Sequence, residues 1–287
     1  MTSFRQVEFK IRVWFRISTL PKRGKPRKDT SNENCMAIMS ELLNATHEAL
    51  KQADPDRCRA ALMAPEQGRD DLLILYAFHY ELSKVPDVTS EPMLGQIRYQ
   101  WWREAIDEIY GGREVRRHEI STPLAEMLLR CDVPRFWIDR LIDGRARDLD
   151  PEPFVDMAAA RDYARQTSGQ LMQIAVKILG GEPGEAVLKA GEAWGLTGLA
   201  RSYSYYHDRI LQNLAFADLV KGAGDSYAAA RGQSSADVFP ALAYAALIPK
   251  FLARMTRSGF DPIVDKVAYG PLSKQFRLAI AGLRGRI

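Results

Sequence analysis

The chain has 287 residues, of which 46% are hydrophobic and 26% charged, with 40 lysines and arginines against 36 acidic residues. These values are those of an ordinary globular protein, and they exclude a collagen-like, coiled-coil, disulfide-scaffold or wholly disordered chain. The first 34 residues hold nine basic and three acidic side chains, a net charge of +6. The rest of the chain therefore has a net charge of −2, which argues against nucleic-acid binding.

Residues 1–38 are interpreted as a basic extension that precedes one helical domain over residues 39–287. Apolar residues alternate with mostly polar ones from Val7 to Ile17, a period of two that favours a strand, whereas a transit peptide would repeat every ~3.6 residues. Two alternatives stay open: a genuine leader, which could be disordered, and a mis-assigned start with translation beginning at Met36 or Met39.

The number of cysteines and the hydropathy of the chain indicate the cellular environment in which it functions. Cys35, Cys58 and Cys131 are too few and too far apart for a disulfide framework or a zinc site, so we expect a reducing environment. No window reaches the ~18 uncharged apolar residues of a membrane span. We therefore expect no transmembrane segment, and at most a chain that lies on a membrane surface.

From Met39 onward the apolar residues recur at helical spacing, and prolines and glycines mark the helix ends. The pattern predicts an all-α domain. Helices are predicted over residues 37–52, 55–63, 66–85, 91–110, 123–131, 134–147, 158–179, 184–207, 216–221, 235–256 and 271–284. Segments 72–85, 171–179 and 239–251 are apolar around most of the helix, which places them at the centre of a bundle.

Short motifs inside these helices carry a resemblance to a known family. In chain order they are Leu75-Tyr76-Ala77-Phe78, Glu91-Pro92, residues 96–106, Leu141-Ile142-Asp143-Gly144, Asp148-Leu149, Tyr163, Ser168-Gly169, Gly191, Leu196-Thr197 and Arg201. Their order over residues 45–220 resembles the squalene/phytoene synthase family of head-to-head prenyl transferases. The resemblance implies a single-domain isoprenoid-synthase-type bundle around a central cavity.

Enzymes of that family hold two allylic diphosphates through Mg²⁺ bound by two D-x-x-x-D motifs, whose i, i+4 spacing points both carboxylates into the cavity. In this sequence the first motif corresponds to Ser83 and Asp87, and the second to Ser202 and Tyr206. Neutral hydroxyls bind Mg²⁺ far less well than carboxylates. We therefore expect metal-assisted ionisation to fail and no cofactor to be needed, with Mg²⁺ required only if the chain is an active enzyme.

Further side chains are expected at the cavity. They are Phe78, His79, Arg98, Trp101, Trp102, Tyr163, Gly169, Thr197, Arg201 and Tyr205. Plain interpretations compete with this one: His79 as a core or rim histidine satisfied by a neighbour, and the two tryptophans as core packing. The tyrosines at 203–206 fall where diphosphate should bind, and their bulk would close the cavity entrance.

Two other acid pairs have the same i, i+4 spacing, Asp139 with Asp143 and Glu104 with Glu108. Arginines lie beside both pairs in the sequence, and neither pair occupies the family's metal positions. Surface ion pairs are therefore the favoured interpretation.

The leading functional interpretation is a catalytically degenerate member of the family that acts by binding. It resembles the phytoene-synthase-like proteins known as respiratory complex I assembly factors, and the resemblance implies a membrane-protein subunit, or a lipid or isoprenoid ligand, as partner. The location would be cytoplasmic and peripheral at the inner membrane, or the mitochondrial matrix in a eukaryote.

Two alternatives remain. One is an active Mg²⁺-dependent prenyl transferase that makes squalene or phytoene from farnesyl or geranylgeranyl diphosphate, using Asp87 and acids elsewhere in the chain. The other is a helical interaction module without a pocket, in which Phe78, Trp101 and Tyr205 fill the cavity.

Overall fold

The computed structural model describes residues 47–48, 50–231 and 237–287, and these residues form helices and turns but no strand. The all-α prediction is therefore confirmed for this part of the chain. The predicted strand over residues 7–17, Cys35 and the candidate starts at Met36 and Met39 lie outside the described residues.

Residues 47–48 and 50–53 are helical, and fourteen further α-helices lie wholly within the described ranges. They are α1 (Pro55–Ala61), α2 (Glu66–Ser83), α3 (Val85–Val88), α4 (Pro92–Tyr110), α5 (Ser121–Arg130), α6 (Arg135–Ala146), α7 (Met157–Ala164), α8 (Gln170–Ile178), α9 (Glu185–Arg201), α10 (Tyr203–Tyr206), α11 (Phe216–Ala230), α12 (Phe239–Leu242), α13 (Ile248–Met255) and α14 (Pro271–Arg284). Short 3₁₀ segments follow α6 (Arg147–Leu149) and α12 (Ala243–Leu247), and a π-helical segment (Arg165–Gly169) joins α7 to α8.

Two predicted helix ends were wrong. The helix predicted over residues 216–221 continues to Ala230, because Gly222 and Ala223 are buried side by side in α11 and pack rather than break the helix. The helix predicted over residues 184–207 ends at Arg201, because Ser202 leaves helical geometry at φ −102° and ψ 15°. A separate short helix, α10, follows that break.

The three segments predicted to be apolar all round are at the centre of the fold. Side chains from α2, α8 and the region 239–251 are almost completely buried, and Tyr76 of α2 meets Tyr244 edge to face at 6.3 Å between ring centroids. Helix α9 crosses the π-helical segment at close range, since a Cβ on Gly191 would lie 2.4 Å from the Cα of Gly169. Glycine at both positions lets the two backbones touch.

A buried carboxylate also fixes α9. Glu192 accepts hydrogen bonds from Arg161 of α7 (2.7 Å), Arg165 (3.1 Å), Lys189 (2.8 Å) and Ser226 of α11 (2.7 Å). Burial acts to raise the pKa of Glu192, but these hydrogen bonds lower it to about 2. The cluster holds α7, α9 and α11 together with a carboxylate that stays ionised.

In the described part of the chain, we find no helix with the length and apolarity that crossing a membrane requires.

Candidate functional site

The two sets of positions that match the family's acid motifs lie at helix ends. Ser83 ends α2, where its Oγ donates a hydrogen bond to the carbonyl of Tyr80 (3.0 Å), and Ser202 ends α9. Tyr206 of α10 is half-buried, and burial raises its pKa, with further contributions from the nearby charges of Asp148 and Asp87. The end of α2, the 3₁₀ segment after α6 and α10 therefore surround one site.

This site offers few free carboxylates to a metal ion. Asp87 is exposed, and Asp148 is already engaged by two donors. No group of three or more histidine, cysteine, aspartate or glutamate side chains that could hold a metal ion occurs within the described ranges. The site therefore offers fewer carboxylates than the two D-x-x-x-D motifs through which the family's enzymes bind Mg²⁺ together with the substrate phosphates.

An arginine occupies the interior of this site instead. Arg145 donates to Asp148 (Nη1 to Oδ2, 3.2 Å), to the hydroxyl of Tyr163 (2.9 Å) and to Nε2 of His79 (3.2 Å from Nε). The hydroxyl of Tyr163 in turn donates to the other oxygen of Asp148 at 2.6 Å. We call these four residues the arginine cluster; they come from α2, α6, the following 3₁₀ segment and α7.

Burial and the charges near the cluster determine whether His79 is protonated. Burial lowers the pKa of His79 well below its usual range, and the positive charges of Arg145 and Arg57 lower it further. A neutral imidazole can accept the guanidinium hydrogen bond at Nε2, whereas an imidazolium cannot. His79 is therefore an acceptor that completes the hydrogen bonding of Arg145.

The backbone around the cluster is also fixed. The hydroxyl of Tyr99 in α4 lies 3.0 Å from the carbonyl of Leu82 and 2.8 Å from the carbonyl of Arg145, so that it bridges α2 and α6. This bridge holds α2 and α6 together next to the arginine cluster.

Two more buried guanidiniums lie in the interior. Arg57 of α1 forms an ion pair with Asp54 (2.5 Å) and faces the rings of Tyr244 (5.0 Å) and Trp194 (5.8 Å). Arg201 lies 4.3 Å from the ring centre of Phe251, and its Nε has no hydrogen-bond partner among the described residues. Burial lowers the pKa of Arg201. Arg57 and Arg145 are thus each paired with a carboxylate, whereas Arg201 packs on an aromatic ring.

The structure brings several of the predicted residues together. His79 and Tyr163 belong to the arginine cluster, and Phe78 packs edge to face on Trp102 at 5.0 Å. Thr197 is buried and donates to the carbonyl of Ala193 (2.7 Å), so its hydroxyl is used inside α9. Gly169 lies at the close crossing of α9 and the π-helical segment.

Other predicted residues do not join the interior. Arg98 is exposed on α4, and Trp101 is half-buried beneath the guanidinium of Arg116 at 5.1 Å. Tyr205 is 59% exposed and meets Tyr206 edge to face at 4.6 Å. The expectation that Tyr205 fills the cavity is therefore wrong, because α10 turns its side chain toward solvent.

The remaining acid pairs are held in ion pairs near the surface, which confirms the favoured interpretation. The pairs are Asp139 with Arg135 (3.2 Å), Asp143 with Arg103 (2.7 Å), Glu104 with Arg116 (3.2 Å) and Glu108 with Arg116 (2.6 Å). The partners of Asp139 and Asp143 are not the arginines that crowd this pair in the sequence.

Sequence reasoning missed Arg145 and Arg57. Arg145 directly follows the motif residue Gly144 and stands three residues before Asp148, a spacing at which side chains of a helix meet. That spacing was the available signal. The corresponding signal for Arg57 was the capping residue Asp54, three positions earlier. The carboxylate of Asp54 also accepts a hydrogen bond from the backbone N–H of Arg57 at 3.2 Å.

Comparison with known proteins agrees with this geometry. The family model for squalene/phytoene synthase matches residues 50–211. A mouse protein named NADH dehydrogenase (ubiquinone) complex I, assembly factor 6 is 25% identical over 200 residues, covering 69% of this chain and 60% of its own length. The human protein of the same name is 26% identical over 165 residues, covering 56% of this chain and 49% of its own. The chain thus spans about half to three-fifths of the length of these relatives.

Solved structures show the same fold. A dehydrosqualene synthase superposes with a TM-score of 0.70 at 15% identity, covering 86% of this chain and 97% of the other. A squalene synthase from Alicyclobacillus acidocaldarius superposes with a TM-score of 0.58 at 13% identity, covering 87% and 96%.

Proposed function

We propose that this chain, which belongs to the squalene/phytoene synthase family, acts by binding in the assembly of a respiratory NADH dehydrogenase complex and does not catalyse prenyl transfer. One observation carries the non-catalytic half of this proposal. The guanidinium of Arg145 is paired with Asp148 beside the positions where the two acid motifs would meet.

Electrostatics supports the loss of metal chemistry. Of the four motif positions only Asp87 carries a carboxylate, and that side chain is exposed. Because Arg145 already neutralises Asp148, Asp87 is the one unpaired carboxylate that the motif positions and the arginine cluster offer to a divalent ion.

The assembly role rests on the relatives. The mouse and human proteins that match this chain are named as assembly factors of complex I, and the family model that matches residues 50–211 spans α2, α4, α6, α7 and α9. We infer that the partner is a component of the corresponding complex. The site of action would be the cytoplasmic face of a bacterial inner membrane, or the matrix face in a mitochondrion.

A second candidate function is Mg²⁺-dependent prenyl transfer. It is favoured by the TM-score of 0.70 with a dehydrosqualene synthase and by the retention of Asp87. The two functions differ in what they need from Asp87, because a metal ligand is indispensable to a Mg²⁺-dependent enzyme, whereas a binding protein needs no metal ligand at this position.

The test is a deletion of the gene in the organism that supplies the chain. We expect less fully assembled NADH dehydrogenase complex on native gels and lower NADH–quinone reductase activity in membranes. Wild-type chain and the Asp87→Asn variant should restore both to the same level, with Ser83→Ala as a matched control at the other position of the motif.

An unchanged level of the complex after deletion would overturn the assembly role. Failure of a stably accumulated Asp87→Asn variant to restore assembly, with Ser83→Ala fully active, would overturn the non-catalytic half. The two halves can therefore fail separately.

A further inference from the structure

Helix α14 has two apolar faces. One face is buried against the body of the protein through Leu278 and Ala281. The opposite face carries Leu272, Phe276 and Leu283, which are 81%, 71% and 91% exposed, with the exposed Ala279 between them. The spacing of these four residues places them in one stripe along the helix, about 16 Å long at ~1.5 Å per residue. We call it the outer stripe.

Two contacts between α14 and the body of the protein fix the orientation of the outer stripe. Lys274 forms a buried ion pair with Asp56 of α1, with 2.9 Å from Nζ to each carboxylate oxygen. Arg277 donates from Nε to the carbonyl of Ala246 at 2.9 Å. Because these contacts fix the rotation of α14 about its axis, the outer stripe faces outward in the folded chain. A surface helix of a globular protein normally presents polar residues in that direction.

The charged residues that share the C-terminal segment with the outer stripe have one sign. From Lys266 to Ile287 the sequence contains five basic residues and no acidic residue. Lys274 is used in the buried ion pair, and the exposed ones are Lys266, Arg277, Arg284 and Arg286. At ~100° per residue, Arg277 and Arg284 lie about a quarter to a third of a turn from the middle of the stripe. The long side chain of Arg284 can reach the level of phosphate groups from that position while the stripe is buried in the lipid, whereas Arg277 is held at the carbonyl of Ala246.

We propose that the outer stripe inserts into the interface of an anionic lipid bilayer, with the flanking cations against the lipid phosphates. Large exposed apolar side chains flanked by basic residues, on one face of a helix, are the pattern of helices that lie in a membrane interface. A second copy of the chain is disfavoured, because two outer stripes packed together would oppose like charges. This inference goes beyond the proposed function and does not depend on it.

The experiment is flotation of the full chain with lipid vesicles. We expect the wild type to float with vesicles of phosphatidylcholine containing about one-third phosphatidylglycerol, and only weakly with phosphatidylcholine alone. The triple substitution Leu272→Ser, Phe276→Ser and Leu283→Ser should weaken partitioning about 100-fold, because three large apolar side chains no longer enter the lipid. Replacing the exposed Arg284 and Arg286 by Gln should weaken it about tenfold or more on anionic vesicles.

The control is a triple substitution of exposed apolar residues elsewhere, Met93→Ser, Ile97→Ser and Phe136→Ser (72%, 60% and 58% exposed), which should float like the wild type. All variants retain the +6 charge of residues 1–34, so any electrostatic contribution of that segment is the same in each. All substituted apolar side chains are exposed, so folding is preserved, which circular dichroism would check.

Equal flotation of the outer-stripe variant and the wild type would overturn the proposal. So would a wild type that stays with neither vesicle type. A wild type that sediments as a dimer, and becomes monomeric on triple substitution without any lipid binding, would show that the stripe is an interface between copies instead. Binding of a protein component with no lipid binding would likewise overturn it.

Discussion

Arg145 reaches Asp148 with Nη1 lying 3.2 Å from Oδ2, and this ion pair stands beside the positions where an active member of the family would gather carboxylates. The same guanidinium is also bonded to Tyr163 and His79. A buried carboxylate that is neutralised in this way is available neither to a metal ion nor to a proton transfer. Under the proposed function, Asp148 stabilises the fold through this pair and is not a ligand of Mg²⁺.

Replacing Arg145 by Ala should destabilise the protein strongly. The substitution leaves Asp148 without its cation in a largely buried position, and breaking a buried pair from one side costs about 3–5 kcal/mol. The free energy of unfolding from urea titration measures the loss. Arg140→Ala is the matched control, since Arg140 lies exposed on the same helix α6 and its loss should change stability by less than about 0.5 kcal/mol. Equal stabilities of the two variants would contradict the assigned role of Arg145.

His79 should make stability depend on pH. Burial and the neighbouring arginines hold its pKa well below 6.5 in the folded chain, while the unfolded chain takes up the proton near pH 6.5. Because only the unfolded state gains the proton, stability is present above pH 6.5 and falls as the pH drops below it toward the depressed pKa.

We expect wild-type stability to fall by about 1 kcal/mol more than that of His79→Gln between pH 6 and pH 5. The glutamine keeps an oxygen that can accept from Arg145 but does not titrate. His118, whose pKa burial also lowers, is present in both chains and contributes equally. Parallel pH profiles for the two chains would show that His79 is not held neutral.

Substitution of Gly191 by Ala should open the close crossing of α9 and the π-helical segment. The new Cβ would lie 2.6 Å from the carbonyl oxygen of Ser168 and closer still to the Cα of Gly169, so backbone has to move. Overpacking of this kind costs about 1–3 kcal/mol. Gly198→Ala in the same helix meets nothing within 4 Å and should be neutral or stabilising by up to about 1 kcal/mol. Thermal unfolding of both variants decides the matter, and a Gly191→Ala variant as stable as Gly198→Ala would refute the close contact.

The fold could be predicted from the sequence because helical spacing is a local pattern and the family motifs occur in a fixed order along the chain. Helical spacing predicted the central helices, and the chain order of motifs such as Tyr163 and Thr197 indicated the family and the location of the two acid positions. The break at Ser202 was missed because serine fits both a helix and its end. The extension of α11 was missed because Gly222 resembles a stop signal when its packing partner is unknown.

The arginine cluster could not be predicted in the same way. Arg145, His79 and Tyr163 are far apart in the sequence, and only the packing of α2, α6 and α7 brings them together. The missing acids at Ser83 and Ser202 were visible in the sequence. What replaces them in the interior depends on side-chain directions that no local pattern encodes.

Incubation of the purified full chain with farnesyl or geranylgeranyl diphosphate and Mg²⁺ tests the absence of prenyl transfer most simply. The pairing of Arg145 with Asp148 predicts that pyrophosphate release stays at the level of a protein-free control at every Mg²⁺ concentration. Pyrophosphate release that rises in proportion to the protein, stops on chelation of Mg²⁺ and is lost in Asp87→Asn would contradict it.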